Sequence, residues 1–339
     1  MHTTQSADWF LAWQDGALLG PDGPLHVERV HETHTAWVFL TATQAFKLRK
    51  PVDLGFLDYS SIDKRRRAAE TEVNLGSRIS PHVYLGVWTH ADGAALSLQT
   101  AGGSGEPLVA MKRLPDSLQL ERLFLDPETP AARIDEVARA CARFHATCPS
   151  DRRSDGYGAI ASTIAAWTIN FEQLPVEDAS IPLSAGERER LIEETAAWLD
   201  RMQPLLAERI AEGRIREGHG DLRLQHIYLT QPWSVIDPLE FAIELRFCDV
   251  AAEVCFVAME LDDLGRMDAS ERMLSQYAAE TDDNTLARVA AFFKRYRAVV
   301  RAKVEWIRAC QAAGEQRRAH LAASRRLFEL ALRYRSNGQ

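Results

Sequence analysis

Nothing limits the fold of this chain more than the stretch GHGDLRLQHIYLTQPWSVIDPLEF, Gly218 to Phe241. Gly218 and Gly220 permit tight backbone turns around His219. Ile227-Tyr228-Leu229 reads as a short strand that leaves Asp221 and His226 in the loop before it, and a second strand, Trp233 to Ile236, ends at Asp237. The turn signal Thr230-Gln231-Pro232 lies between them, so the strands are expected to pair as a hairpin that brings Asp221, His226 and Asp237 close together. Carboxylates gathered in this way usually serve a metal ion.

The texture around that stretch changes along the chain. Residues 8 to 19 read as a short amphipathic helix, stopped by Gly20-Pro21-Asp22-Gly23-Pro24. Strands are expected at His26 to His31, Thr35 to Leu40, Ala45 to Leu48, Val83 to Thr89, Ala94 to Gln99 and Leu108 to Lys112, with a helix from about Ser61 to Ile79 between the third and fourth. The glycines of Thr100 to Pro107 lack the Lys-Ser/Thr ending of a P-loop and do not fit G-x-G-x-x-G, so they read as a hairpin turn. After Pro115 the pattern is almost all helix: Ala131 to Thr147, Ala161 to Glu172, Ala185 to Glu212, Val250 to Leu264, Ala269 to Glu280, Leu286 to Ala313 and Gln316 to Arg335. A β-rich first third, a short link and a helical remainder predict two lobes with a cleft between them. The expected boundaries are 1–110 for the β-rich lobe, 111–115 for the hinge and 116–339 for the helical lobe.

Two residues outside the opening stretch stand out. Lys47 lies inside a strand with apolar neighbours, which alone reads as an edge-strand lysine pointing to solvent. Glu72 shares a helix face with Ala68, Leu75 and Ile79, whereas Glu70 points elsewhere. A carboxylate on an apolar stripe is costly unless paired. A lysine on a nearby strand is its natural partner.

With 339 residues, 46% of them hydrophobic and 26% charged, the chain has the composition of an ordinary globular protein long enough for two cores. No apolar run approaches the roughly 20 residues that span a bilayer. The start, MHTTQSADWF, lacks the order of a signal peptide, so a cytoplasmic location and no membrane partner are expected. The five cysteines form no C-x-x-C pair and read as reduced core thiols. Thirteen Lys or Arg against three Glu from Leu286 to Arg335 make the C-terminal region basic within a chain of net charge −8. Its aromatics, Phe292, Phe293, Tyr296 and Trp306, fall at helical spacing and read as core, so no nucleic-acid partner is expected.

A strand Lys, a helix Glu, a loop Asp and a strand-end Asp, in that order, resemble the protein-kinase-like fold, and within it the aminoglycoside phosphotransferase and choline kinase group of small-molecule kinases. The likeness is best with an uncharacterised bacterial branch of that group. It is carried by ETHTAWVFL at Glu32, AFKLRKPVDLGFLDYS at Ala45, YLGV at Tyr84, HGDL at His219, IDPLEF at Ile236 and YRAVVRAKV at Tyr296. The block from Ala45 to Ser60 is the most discriminating. The resemblance implies an α+β, two-lobe fold with a small β-rich N-lobe and a large helical C-lobe. It also implies an ATP-dependent phosphotransferase acting on a hydroxyl of a small metabolite. The HGD form and the long helical region from Ala161 to Glu212 favour small acceptors over proteins.

What the resemblance implies for single residues suits phosphoryl transfer, which needs positioning and charge neutralisation more than covalent chemistry. Lys47 would hold the α- and β-phosphates of ATP, and Glu72 would align it. Backbone groups at Val109, Met111 and Arg113 would meet adenine. Asp221 would orient the acceptor hydroxyl and take its proton, and Asp237 would bind Mg²⁺. His219 would anchor the loop. His226 stands where most relatives have Asn, and three roles are open to it: a metal ligand, better suited to Mn²⁺ than to Mg²⁺, a phosphate contact, or a brace for the loop. Arg223 stands where His is common, Pro238 and Leu239 replace the frequent Phe-Gly, and Glu240 adds a carboxylate. With Arg297, Arg301 and Lys303 on the basic helix, Arg223 and Glu240 are the candidate acceptor-site residues, and the cations favour an anionic substrate. The alternative for Lys303 is that it snorkels or pairs with Asp249 or Glu253. The alternative for the whole protein is a catalytically silent, pseudokinase-like nucleotide-binding module. Neither the acceptor nor the oligomeric state is written in the sequence.

Overall fold

The computed structural model describes residues 18–20, 23–55, 57–90, 97–98, 105–153, 155–174 and 180–335. They form two compact units. The β-rich unit combines the first 119 residues with His226–Ala242, and the helical unit takes Leu120–Gln225 and Ile243–Gln339.

The β-rich unit opens with a small hairpin, β1 (Leu18–Gly20) on β2 (Gly23–Leu25). The helix expected at 8–19 therefore fails at its C-terminal end; the rest of it, with residues 21 and 22 of the turn cluster, lies outside the described residues. The main sheet is built from β3 (Arg29–Glu32), β4 (Ala36–Leu40), β5 (Gln44–Arg49), β6 (Tyr84–His90), β7 (Ser97–Leu98) and β8 (Glu106–Lys112). Its order is β3-β4-β5-β8-β6-β7, with every neighbour antiparallel. The strand expected at 26–31 starts later, at Arg29, and that expected at 94–99 is described only at its last part, β7. Much of the Gly-rich turn lies outside the described residues.

Side chains alternate across a strand, and here the alternation decides the chemistry. Phe39, Phe46, Leu48, Trp88, Leu108 and Ala110 form a buried cluster on one face. Ala45, Val109, Met111 and Tyr84 join Ala69 and Val83 on the other, where helix α1 (Ile62–Ile79) packs and Ile236 adds to the cluster. Lys47 and Arg49, two and four residues past Ala45, share the helix side of β5. Ser61 caps α1 by accepting from Lys64 N, as its position in sequence predicts. The buried stripe of α1 holds Arg65, Ala69, Glu72, Leu75 and Gly76, rotated slightly from the expected Ala68–Ile79 line. From the second half of the chain come β10 (Ile227–Tyr228) and β11 (Ser234–Val235), paired as the predicted hairpin.

The helical unit contains α2 (Leu120–Leu125), α3 (Ile134–Thr147), α4 (Ile160–Glu172), α5 (Ala185–Ala211), α6 (Ile243–Arg246), α7 (Val250–Asp263), α8 (Met267–Thr281), α9 (Leu286–Gln311) and α10 (Gly314–Arg333). Its long helices follow the sequence expectations within a few residues. Two three-residue strands escaped them, β9 (Ile215–Glu217) and β12 (Phe247–Asp249), which pair antiparallel. Helix α7, apolar on almost every face, is the buried centre and packs on α8 and α9. Arg209, wholly buried on α5, donates to Asp249 at 2.6 and 2.7 Å and to Asp283 at 2.7 Å, which compensates its charge. Of the C-terminal aromatics, Phe292, Phe293 and Trp306 are buried. Two of the nearby cations are internal: Lys294 bonds Asp262 and Ser270, and Arg295 bonds Glu194. All five cysteines are free, but Cys310 is exposed, not core. No helix among the described residues is long and apolar enough to cross a membrane.

Candidate active site

In the β-rich unit, Lys47 is held between two carboxylates. Its Nζ lies 2.9 Å from Glu72 Oε2 and 2.5 Å from Asp237 Oδ1. Burial disfavours the ammonium, but Asp237, Glu72 and Glu240 outweigh it and hold the Lys47 pKa well above the ordinary lysine value. Asp237 follows the β10–β11 hairpin and is the accessible member, with its side chain 46% exposed against 1% for Glu72. Its φ of 66° is left-handed, although it is neither glycine nor favoured there by the proline that follows. The Tyr84 hydroxyl accepts from its backbone N–H at 3.0 Å. Gly76 leaves room for the Tyr84 ring, which a Cβ at that position would overlap.

His226 is buried, its Nε2 3.7 Å from Asp237 Oδ2, and its carbonyl accepts from Ile236 N at 3.0 Å. Among the described residues no group of three or more His, Cys, Asp or Glu is arranged to hold a metal by itself. The accessible Asp237 carboxylate suits Mg²⁺, which keeps several waters and takes its remaining oxygens from phosphates, whereas the His226 imidazole suits a softer ion.

Two residues of the sequence block at Ala45–Ser60 meet the loop that follows Asp237. Arg49 donates through Nη2 to Glu72, and through Nε and Nη2 to Glu240 Oε1 at 3.2 and 2.9 Å. The Tyr59 hydroxyl donates to the same Glu240 oxygen. Glu240, expected at the acceptor, is turned into the interior, where a carboxylate needs such cations. Burial would raise its pKa, but Arg49, Lys47 and the Tyr59 hydroxyl hold it below the ordinary value. Val109, Met111 and Arg113, the residues expected to meet adenine, lie on β8 and just past its end. Val109 lies mid-strand, with Lys47 and Val87 as its ladder neighbours. Met111 stands between Ala45 and Tyr84, and Arg113 N donates to Thr43 O at 2.9 Å. At these positions the backbone takes part in the sheet and the turn at Thr43.

In the helical unit, Asp221 follows Gly218-His219-Gly220, with Gly220 at φ 83°. Helix α7 grips the backbone on both sides of it. Glu253 accepts from Gly220 N, and Glu260 accepts from Leu224 N at 2.8 Å. Seven residues separate the two carboxylates, which puts them on one helix face. Glu253 also accepts from His145 Nε2 at 2.8 Å, and His145 Nδ1 meets the Tyr277 hydroxyl at 2.7 Å. Burial opposes the Glu253 carboxylate, but His145 and the Gly220 N–H bring its pKa down to about 2. Gly218 has no alternative, because a Cβ there would run into the Glu253 carboxylate. His219 is wholly buried, and its Nδ1 accepts from Asp221 N at 3.3 Å.

The candidate acceptor cations lie in this unit and differ in commitment. Arg223 is buried, donating to Glu260 at 2.7 Å over the Phe256 ring. Arg297 is buried against the same ring and donates to Ala252 O at 3.0 Å. Arg301 pairs with Glu305 at 2.7 Å, yet burial and the nearby Arg223 lower its pKa to about 10. Lys303 meets neither Asp249 nor Glu253. It donates to Gln173 Oε1 at 2.6 Å, and burial lowers its pKa. Arg49, Tyr59, Tyr84, His145, Glu253 and Glu260 were not singled out from sequence. The seven-residue spacing of Glu253 and Glu260 in an apolar helix was the signal available for two of them.

Comparison with known proteins agrees with this architecture. A GDP complex of aminoglycoside 2'-phosphotransferase-IIIa matches at TM-score 0.56 and 15% identity, over 98% of this chain and 99% of that one. A choline/ethanolamine kinase family protein from Mesorhizobium loti matches at TM-score 0.53 and 14% identity, over 97% and 98%. These likenesses show the fold, an α+β protein-kinase-like one. Uncharacterised proteins of Mycobacterium tuberculosis and Mycobacterium bovis are 35% identical over 284 residues, 83% of this chain. The match spans 55% of their length, so the chain covers about half of these relatives. The Phosphotransferase enzyme family matches residues 85–293, more than half of the chain and a span that includes Asp221 and Asp237, and the protein belongs to that family.

Proposed function

We propose that the protein is an ATP-dependent phosphotransferase that transfers the γ-phosphate to a hydroxyl of a small, anionic metabolite. The observation that carries this reading is Lys47 between the buried Glu72 and the accessible Asp237. An ammonium so placed offers its charge to the α- and β-phosphates while Glu72 holds its direction. A bound Mg²⁺, or Mn²⁺, held by Asp237 with His226 beside it, would neutralise charge on the phosphates. The acceptor oxygen forms the new bond to the γ-phosphorus, the bond to the β-phosphate oxygen breaks, and ADP leaves. Asp221 takes the hydroxyl proton, and its backbone, held on both sides by Glu253 and Glu260, keeps the carboxylate in one place. Arg301 and Lys303 support the anionic preference: both are cations disfavoured by burial, a cost that an anionic ligand would offset.

The test is ADP release with ATP or GTP over a panel of sugar acids, sugar phosphates and aminoglycosides. Turnover is expected with an anionic acceptor, and Asp221→Asn should lower it by about 10²–10⁴ with nucleotide binding retained. Preference for cationic aminoglycosides would remove the anionic part of the reading. Nucleotide binding with no turnover on any acceptor would favour a silent module, the reading to which His226 in the usual Asn position points.

A further inference from the structure

Five charged side chains of the β-rich unit close into a ring. Asp237 bonds Lys47, Lys47 bonds Glu72, Glu72 bonds Arg49 and Arg49 bonds Glu240. The backbone from Asp237 through Pro238 and Leu239 to Glu240 completes the circuit. Signs alternate along the four ionic contacts, and the backbone step joins the two end carboxylates, Glu240 and Asp237. With the carboxylates ionised, three negative groups face two positive ones, so the ring carries one uncompensated negative charge. Asp237 is its accessible member, while the side chains of Glu72, Arg49 and Glu240 are at most 7% exposed.

A network that served stability alone would satisfy its polar atoms. This one leaves Glu72 Oε1 and Arg49 Nη1 buried without a hydrogen-bond partner. Half-satisfied charge in a low-dielectric interior is costly, and a buried ion pair is weak evidence for stability. The ring also surrounds a backbone that needs restraint. Asp237 is left-handed and precedes a proline, two conditions that disfavour its conformation. The segment is pinned at one end by Tyr84, which accepts from Asp237 N, and at the other by Glu240, which takes Arg49 and the Tyr59 hydroxyl.

We infer that Glu240, held by Arg49 and Tyr59, is a positioning residue that fixes the Asp237 carboxylate where a divalent cation is received with the nucleotide. Pro238 and Leu239 supply no flexibility of their own. The Arg49–Glu240 pair sets the reach of the loop. Glu240 does this through Asp237 and touches neither substrate nor cation. The inference rests on the phosphotransferase reading and adds to it a determinant of cation affinity.

The experiment titrates Mn²⁺ into the full chain with ATP, counting free Mn²⁺ by EPR, and follows thermal unfolding in parallel. Glu240→Gln keeps the shape and removes the charge. It should weaken Mn²⁺ binding about 10-fold or more, the usual loss for a residue that orients a metal ligand, and leave metal-free ATP binding within about 3-fold. Tyr59→Phe, which removes a single hydroxyl, should give a smaller loss in the same direction and decides the matter if Glu240→Gln does not fold. Glu106→Gln weakens another buried pair of the same unit, Arg65–Glu106, and should lower Tm without changing Mn²⁺ affinity. Wild-type Mn²⁺ affinity in Glu240→Gln and Tyr59→Phe overturns the inference, as does an equal loss in Glu106→Gln. Absence of Mn²⁺ binding by the wild-type ATP complex would overturn the phosphotransferase reading itself, and the inference with it.

Discussion

The two units hold their candidate chemistry by opposite means. Around Lys47, side chains hold side chains through charges of alternating sign, and of these groups Asp237 is the accessible one. Around Asp221, two carboxylates of α7 hold the main chain through the Gly220 and Leu224 N–H groups. Charge networks of the first kind tune what a site binds. Backbone clamps of the second kind fix where a loop runs, so damage to them is expected first in folding and in the turnover step.

That contrast can be broken experimentally. Lys47→Met should lower turnover by about 10²–10³-fold, the loss of one charge-stabilising group. A similar Tm at neutral pH would mark Lys47 as a binding residue, whereas loss of folding would move it to the structural side. Glu253→Ala strands His145 and the Gly220 N–H in the interior and should cost about 3–5 kcal/mol, measured by denaturant unfolding. Gly76→Ala should cost about 1–3 kcal/mol by overpacking against the Tyr84 ring, and it tests whether that ring supports Asp237 if Mn²⁺ affinity falls as well. Acid should separate the units further. The Glu253 pKa is about 2 in the folded chain against an ordinary 4.5, so its stabilisation is complete above pH 4.5 and is lost as pH falls towards 2. Tm of the wild type should therefore fall more steeply across that window than Tm of Glu253→Gln. Smallest of all, Lys303→Met should change stability by less than about 1 kcal/mol, because Lys303 has an amide and not a carboxylate as its contact. It should raise KM for an anionic acceptor about tenfold, the value of one charge-assisted contact.

Periodicity revealed the helices because each long one buries a face, as α7 and α9 do. It revealed Lys47 and Glu72 because each interrupts an apolar pattern and therefore demands a partner. Arg49 and Tyr59 carried no such local signal. Their worth lies in meeting Glu240, 191 and 181 residues away, and only the alternation of β5, seen with its helix in place, puts Arg49 beside Lys47. The apolar run at Leu108 did show where its strand ends, at Lys112, but not that Glu106 and Pro107 extend its start. Strands β9 and β12 are three residues each, too short to display a period. The acceptor cations look alike in sequence, and neighbours such as Phe256, Glu260 and Gln173 distinguish them.

The hairpin that ends at Asp237 belongs to the β-rich unit, although it is made long after the rest of that unit. During synthesis the sheet waits for it. Until residue 242 has emerged, Lys47 and Arg49 lack two of their carboxylate partners, Ser80 lacks the Val235 N–H that donates to it, and the cluster under α1 lacks Ile236. An N-terminal fragment ending at residue 119 is therefore an incomplete body, with the wrong charge balance and an open apolar seam. A protease nick in the hairpin, or a chain released early from the ribosome, should disable the half of the molecule that has already been made.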